Sequence, residues 1–203
     1  MLLQNHLSNY RIVLASNSPR RKELLGGLDI PFTVATLPDV DESYPSHLTA
    51  EEIPLYISRK KSEVYRPFMT NDTLLITADT IVWLDGKVFG KPKNIDDARH
   101  MLQVLSGKTH CVITGVTLAT KEKEESFTSL SDVTFSQLND SEIDYYLNHC
   151  QPYDKAGAYG IQEWIGYIGI ERIKGSYFNV MGLPIQRLYH ELKRFTYFAQ
   201  TTL

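Results

Sequence analysis

A mixed-sheet α/β protein is the fold class predicted by the sequence, on three observations. Strand-like and helix-like segments alternate through the first half, a hairpin signal at Asp85-Gly86 sits mid-chain, and the final segment reads as helix. With 203 residues, 42% apolar and 22% charged, the chain can bury a real core as one domain, which excludes disordered, collagen-like and low-complexity classes.

Taken in order, Arg11 to Ala15 reads as a short buried strand. Ser18 followed by Pro19 is an N-cap with Pro at the first helical position, and this helix runs through Leu25 to stop near Gly26-Gly27. Phe32 to Thr36 is a second strand, and the polar stretch from Pro38 to Leu48 is a loop carrying Asp39, Asp41 and Glu42. Thr49 with Glu52 fits a capping box for a helix through Ile57, Lys61 and Val64. Leu74 to Ala78 and Ile81 to Leu84 are β-like and end at the Asp85-Gly86 turn. Asn94 caps a helix closed by Gly107. Thr109 to Ala119 and Phe127 to Phe135 form an antiparallel pair across a charged turn at Lys121 to Glu125. Asn139 with Glu142 starts a helix to about Asn148, Pro152 to Gln162 has no clear period, Tyr167 to Ile173 returns to strand, and Pro184 opens the terminal helix.

The net charge of −3 removes the usual warrant for a nucleic-acid binder. Two cysteines, Cys111 and Cys150, build neither a disulfide framework nor a zinc ribbon, and the six histidines lack ligand spacing. The N-terminus is too polar for a signal peptide, and no apolar run is long enough to span a bilayer. A cytoplasmic protein without membrane or nucleic-acid partners is the expectation.

Four segments carry chemistry. Ser16-Asn17-Ser18-Pro19-Arg20-Arg21 puts two arginines in the first turn of a helix, where the dipole disfavours cations. Helix N–H groups, the Ser16 hydroxyl and guanidinium forks together make a phosphate cradle, or the arginines are simply solvated. Asp79-Thr80 interrupts an apolar run, where a carboxylate is costly unless paired or coordinating, so Asp79 is a candidate base or a core Asp at a bend. Gly90-Lys91-Pro92 offers a point charge to a phosphate or an ordinary loop lysine. Asp154 to Gln162 is rich in small residues that permit close backbone approach, Tyr159 and Gln162 offer stacking and bidentate hydrogen bonding, and Gln162 can read a nucleobase edge; a packed turn is the alternative. Any metal is expected to be Mg²⁺ or Mn²⁺, carried by the loop carboxylates Asp39, Asp41, Glu42 and Asp79 and by substrate phosphates.

These segments, together with Leu14-Ala15, Leu105-Ser106-Gly107, Thr114-Gly115-Val116, Gly175-Ser176-Tyr177 and Gly182-Leu183-Pro184, follow one another from about Arg11 to Leu192 in an order that resembles the Maf family of nucleoside triphosphate pyrophosphatases. Arg20-Arg21, Ala78-Asp79-Thr80 and the Lys155-to-Gln162 run resemble the branch acting on dTTP and UTP. The 7-methyl-GTP branch usually has an aromatic residue at the first arginine and Ser-Asp-Gln at 78–80. Gln151 and Glu163 depart from the family's common acidic residue and glycine.

The resemblance implies a single catalytic domain over 1–203. Its fold would be a strongly bent mixed sheet with helices on both sides and two lobes around a cleft, often as a homodimer. It implies Asp79 as proton acceptor, Arg20, Thr80 and Gln162 as specificity residues, and Ser16, Arg20, Arg21, Lys61 and Lys91 on the phosphates. Glu42 and Asp79 would hold a divalent cation. Two other readings stay open: a nucleotide-binding regulator of cell division without turnover, and a pyrophosphatase for modified or purine triphosphates.

Overall fold

The computed structural model describes residues 2–36 and 40–200, so Asp39 lies outside the described residues. In chain order the elements are α1 (Leu3–His6), β1 (Arg11–Ala15), α2 (Pro19–Gly26), β2 (Phe32–Ala35), α3 (Glu52–Tyr65) and a 3₁₀ turn (Arg66–Phe68). There follow β3 (Thr73–Leu84), β4 (Lys87–Phe89), α4 (Ile95–Leu105), β5 (Thr109–Ala119), β6 (Glu124–Phe135) and α5 (Asp140–Cys150). The chain closes with a 3₁₀ turn (Ala156–Ala158), α6 (Trp164–Gly169), β7 (Ile170–Lys174), α7 (Tyr177–Val180) and α8 (Ile185–Gln200). The strands form one open mixed sheet in the order β2-β1-β3-β5-β6-β7, with β4 paired to β3.

β1 runs parallel to both neighbours, with Leu14 opposite Val34 of β2 and Ile76 of β3. The loop after β1 therefore leaves the carboxyl end of a parallel strand and enters a helix N-terminus, the usual place for a ligand in an open α/β sheet. β3 and β4 form the hairpin expected at Asp85-Gly86, where φ is 49° and 80°. Both central positions of a type I′ turn need positive φ, which Asp tolerates and Gly supplies. The connection at 120–123 is far too short for a crossover, so β5 and β6 are antiparallel.

The contacts divide the chain into two compact units. The first comprises Met1–Asp79, Thr114–Ser129 and Gly182–Leu203. Its core gathers Val13, Ala15, Met69, Leu75 and Ala119, with Tyr65 packed against them. α3 lies on this core through Ile53, Pro54, Ile57, Ser58, Lys61 and Ser62. Gly115 permits the approach, since a Cβ there would stand 2.4 Å from the Pro54 carbonyl carbon. The Ser58 hydroxyl meets that of Thr117 at 2.9 Å, and Thr77 donates to the Ser58 carbonyl, which sets the rotation of the helix.

The second unit comprises Thr80–Ile113 and Leu130–Met181. The rings of His110, Phe135 and Tyr159 pack edge to face in its core, and His110 Nε2 lies 2.7 Å from the Tyr159 hydroxyl. The capping box of α5 forms as its sequence predicts, with Asn139 accepting from the Glu142 amide and Glu142 returning to the Asn139 amide.

Three expectations fail. Asp79 is not in a loop, because Leu74–Ala78 and Ile81–Leu84 fuse into the single strand β3. The segment expected as strand from Tyr167 begins in α6, where Ile165 and Gly169 face inward and Tyr167 and Ile168 outward. That is a helical period hidden in an apolar run, and β7 starts only at Ile170. Finally, the reciprocal capping box at Thr49 is half formed: Glu52 accepts from the Thr49 amide and hydroxyl, but Glu51 occupies the cap position, two residues nearer Pro54.

Candidate active site

In the first unit the loop after β1 is built by short-range hydrogen bonds. The Ser18 amide donates to Ser16 Oγ at 3.2 Å, and Ser18 Oγ caps α2 by accepting from the Arg21 amide. Pro19 at the start of the helix removes one amide that would have had no partner. Arg20 and Arg21 thus stand in the first turn, as the sequence predicts. Arg21 Nε donates to the Gly182 carbonyl and Nη1 to the Ala78 carbonyl, both at 2.8 Å. This side chain ties α2 to the residue just before Asp79. Burial and the neighbouring Arg20 charge hold its guanidinium below the usual arginine range, against the opposing pull of Asp79 and Glu42.

Asp79 sits at the end of this unit, 8% exposed, among Ile76, Thr77 and Ala78, which are more deeply buried still. Its Oδ1 accepts from Lys61 Nζ at 2.7 Å, and the same ammonium lies 2.8 Å from Glu42 Oε1. Lys61 projects one helical turn after Ser58, from the buried face of α3. Ser16, Arg21, Glu42, Lys61 and Asp79 therefore belong to one unit, and Lys61, Glu42 and Asp79 touch. Lys61, expected on a phosphate, is in this structure the cation between two carboxylates. A buried ammonium between two carboxylates compensates a desolvation cost that neither acid could bear alone. Beside it, the exposed Asp41 pairs with Lys60 at 2.9 Å; hydrogen bonds from Ser43 and then Lys60 depress its pKa.

The donor set fits a hard divalent cation. Two carboxylates already converge on one positive atom, and Mg²⁺ characteristically takes one or two carboxylates while substrate phosphates complete its shell. Among the described residues no group of three or more His, Cys, Asp or Glu could hold a metal ion.

The second unit holds the remaining candidates. Thr80 follows Asp79 in β3, and Lys91 is exposed just after β4. The Gly157 amide donates to the Gly90 carbonyl at 3.0 Å, so the small-residue segment docks on the loop that carries Lys91. Gly157 has φ 70°, and a Cβ there would stand 2.9 Å from Val82 Cγ2, so glycine is required twice over. Gln162 lies at the end of this segment with its Oε1 buried and lacking a hydrogen-bond partner. Such an orphan acceptor costs roughly 1–3 kcal/mol until a donor reaches it.

The same segment carries an ion cluster that its small-residue pattern did not announce. Lys155 Nζ bridges Asp154 at 2.7 Å and Glu163 at 2.9 Å, and Glu163 also accepts from the Tyr146 hydroxyl. Burial first, then Glu163, pushes the Tyr146 phenol far above its ordinary range, so it remains a donor. Glu163 stood out in the sequence only as a departure from glycine, and Tyr146 falls unmarked within the helix that Asn139 starts.

An open α/β sheet with an acid–base cluster at a strand-to-helix loop is the arrangement of a class of small-molecule enzymes. The comparisons narrow it. The model of the family described as Maf-like protein matches residues 11–195, and the chain belongs to that family. A Phocaeicola vulgatus protein named dTTP/UTP pyrophosphatase is 63% identical over 193 residues, 95% of this chain and 100% of that one. Proteins of the same name from Bacteroides thetaiotaomicron and Porphyromonas gingivalis (strain W83) are 61% and 55% identical, over 93% and 94% of this chain and 98% and 97% of theirs. Among solved structures, a HAM1 protein from Coxiella burnetii aligns with a TM-score of 0.46 at 16% identity, covering 91% of this chain and 99% of that one.

Proposed function

We propose that this chain hydrolyses dTTP and UTP to the monophosphate and pyrophosphate, with Asp79 as the proton acceptor. The observation that carries the reading is the Lys61-bridged pair of Asp79 and Glu42 beside the Ser16–Arg21 loop, in a chain whose relatives at 55% to 63% identity bear that name. Asp79 Oδ1 is engaged by Lys61, which orients the carboxylate and leaves Oδ2 to take a proton from the attacking water. Ser16, Arg20, Arg21, Lys61 and Lys91 are assigned to phosphate oxygens. Cations there stabilise the charge that develops on the leaving pyrophosphate. Glu42 and Asp79 would hold the divalent cation, which, when bound, neutralises triphosphate charge and polarises the phosphoryl group.

Arg20, Thr80 and Gln162 are assigned to the base. The partnerless acceptor of Gln162 supports that role, because uracil and thymine present an N3–H donor while cytosine N3 is an acceptor. No helix among the described residues is long and apolar enough to cross a membrane, and a cytoplasmic site of action is part of the proposal.

The test is a panel of canonical and modified triphosphates, with Mg²⁺ or Mn²⁺, assayed for monophosphate and pyrophosphate. UTP and dTTP are expected to turn over well ahead of CTP and the purines. Absence of pyrophosphate release from every triphosphate overturns the reading, and preference for a modified base moves it to that substrate.

A further inference from the structure

Gly160, Ile161, Gln162 and Glu163 form a turn closed by the Glu163 amide donating to the Gly160 carbonyl at 3.0 Å, so Gln162 occupies its third position. Both ends of the turn meet on one phenol. The Gly160 amide donates to the Tyr146 hydroxyl at 3.0 Å, and that hydroxyl donates to Glu163 Oε2. The carboxylate folds over Gly160 so closely that a Cβ there would stand 2.7 Å from Glu163 Cδ. Its other oxygen, Oε1, pairs with Lys155 Nζ at 2.9 Å, and the Lys155 side chain is 9% exposed. The backbone around Gln162 is therefore fastened by a charge-assisted network rooted in α5, while the amide oxygen of Gln162 has no partner.

We propose that Glu163, held by Tyr146 and Lys155, is a positioning residue for substrate selectivity: it locks the 160–163 turn so that the Gln162 amide meets the base in one orientation. The proposal rests on the base-reading role assigned to Gln162. A preorganised amide discriminates because a mismatched edge leaves buried groups unpaired; a turn free to pivot lets the amide adapt to either pattern. Loosening the clamp should therefore lower selectivity more than rate.

The experiment compares kcat/KM for UTP and CTP in the wild type, Gln162→Ala, Glu163→Ala, Glu163→Gln and Tyr146→Phe, with melting temperature measured alongside. Expected is a fall of about tenfold in the UTP-over-CTP ratio for Glu163→Ala and Tyr146→Phe, carried mostly by KM, with partial recovery in Glu163→Gln, which keeps an acceptor for the phenol. A ratio that survives in Glu163→Ala and Tyr146→Phe but is lost in Gln162→Ala overturns the positioning role and keeps the base reading. Equal losses of rate on both nucleotides, tracking the fall in melting temperature, mean the network only supports the fold and also overturn it. A ratio untouched by Gln162→Ala overturns the base reading and this proposal with it.

Discussion

Lys61 and Lys155 present the same chemistry in two settings. Each is a buried ammonium between two carboxylates: Lys61 with Glu42 and Asp79, Lys155 with Asp154 and Glu163. The side chains of the lysines are almost equally buried, at 10% and 9% exposure. The difference lies in what the carboxylates do next. Around Lys155 the network is tied off, since Glu163 also takes the Tyr146 hydroxyl, which in turn takes a backbone amide. Around Lys61 the acids come from a strand and from an irregular loop; each cluster has one exposed acid, Glu42 at 43% and Asp154 at 54%, and the contrast lies in Glu163, which has the phenol as a second donor. A closed network gives rigidity; an open one can exchange an internal cation for the charges of a ligand. Burial alone does not separate a structural ion pair from a reactive one, whereas the fate of the remaining oxygens does.

The largest effect should fall on the open cluster. Asp79→Asn is expected to lower the rate of pyrophosphate release by about 10²- to 10⁴-fold while nucleotide still binds, as measured by steady-state kinetics and direct titration of the variant. A loss smaller than about tenfold would remove Asp79 from the role of proton acceptor and erase the functional half of the comparison.

Next, Lys155→Met and Lys61→Met should separate the two clusters. Removing Lys61 strands the buried Asp79, at a cost of about 3–5 kcal/mol. Lys155→Met should cost less, because Glu163 keeps the Tyr146 hydroxyl and the Asp154 side chain is 54% exposed, and it should impair turnover less. Urea unfolding midpoints at unchanged m-value, set beside kcat/KM, read the two quantities; equal shifts in both would show the clusters to be alike.

A third and smaller effect is acid sensitivity in the second unit. Burial holds His110 down at about 4, against an ordinary value of 6.5. Its folded-state value is depressed, so between those limits the unfolded chain binds the extra proton. The resulting stabilisation is complete above the unfolded value and lost as pH falls toward the folded one. The difference amounts to at most about 3 kcal/mol. His110→Gln should flatten that limb of the stability-against-pH curve measured by urea unfolding. An unchanged limb would show that His110 does not carry the acid sensitivity of the fold.

Much of this arrangement was legible along the chain. Ser18-Pro19, Asn94 and Asn139 cap helices where expected, because an N-cap is a contact across three residues. The Asp85-Gly86 turn follows from the positive φ that only certain residues adopt cheaply. The family motifs marked Asp79, Lys61 and Glu42 as belonging together, which spacing alone could not do, since Lys61 and Asp79 are brought together by the rotation of α3 on β1 and β3. Helices too short for a period, α1 and α7, and the helical face hidden in Trp164–Gly169 left no readable pattern.

By itself, then, the sequence determined the local chemistry: which residues cap, turn, charge or bury, and in what order the family motifs run. Only the tertiary structure decided that Asp79 lies within a strand, that Lys61 faces two acids, that Arg21 spends donors on the Ala78 and Gly182 carbonyls, and that Glu163 folds over Gly160. Each of these is a contact between residues whose separation along the chain carries no local signal. It exists because burying one apolar face fixes where the polar atoms on the same element must end up, and those atoms then pair with whatever the packing has brought within reach.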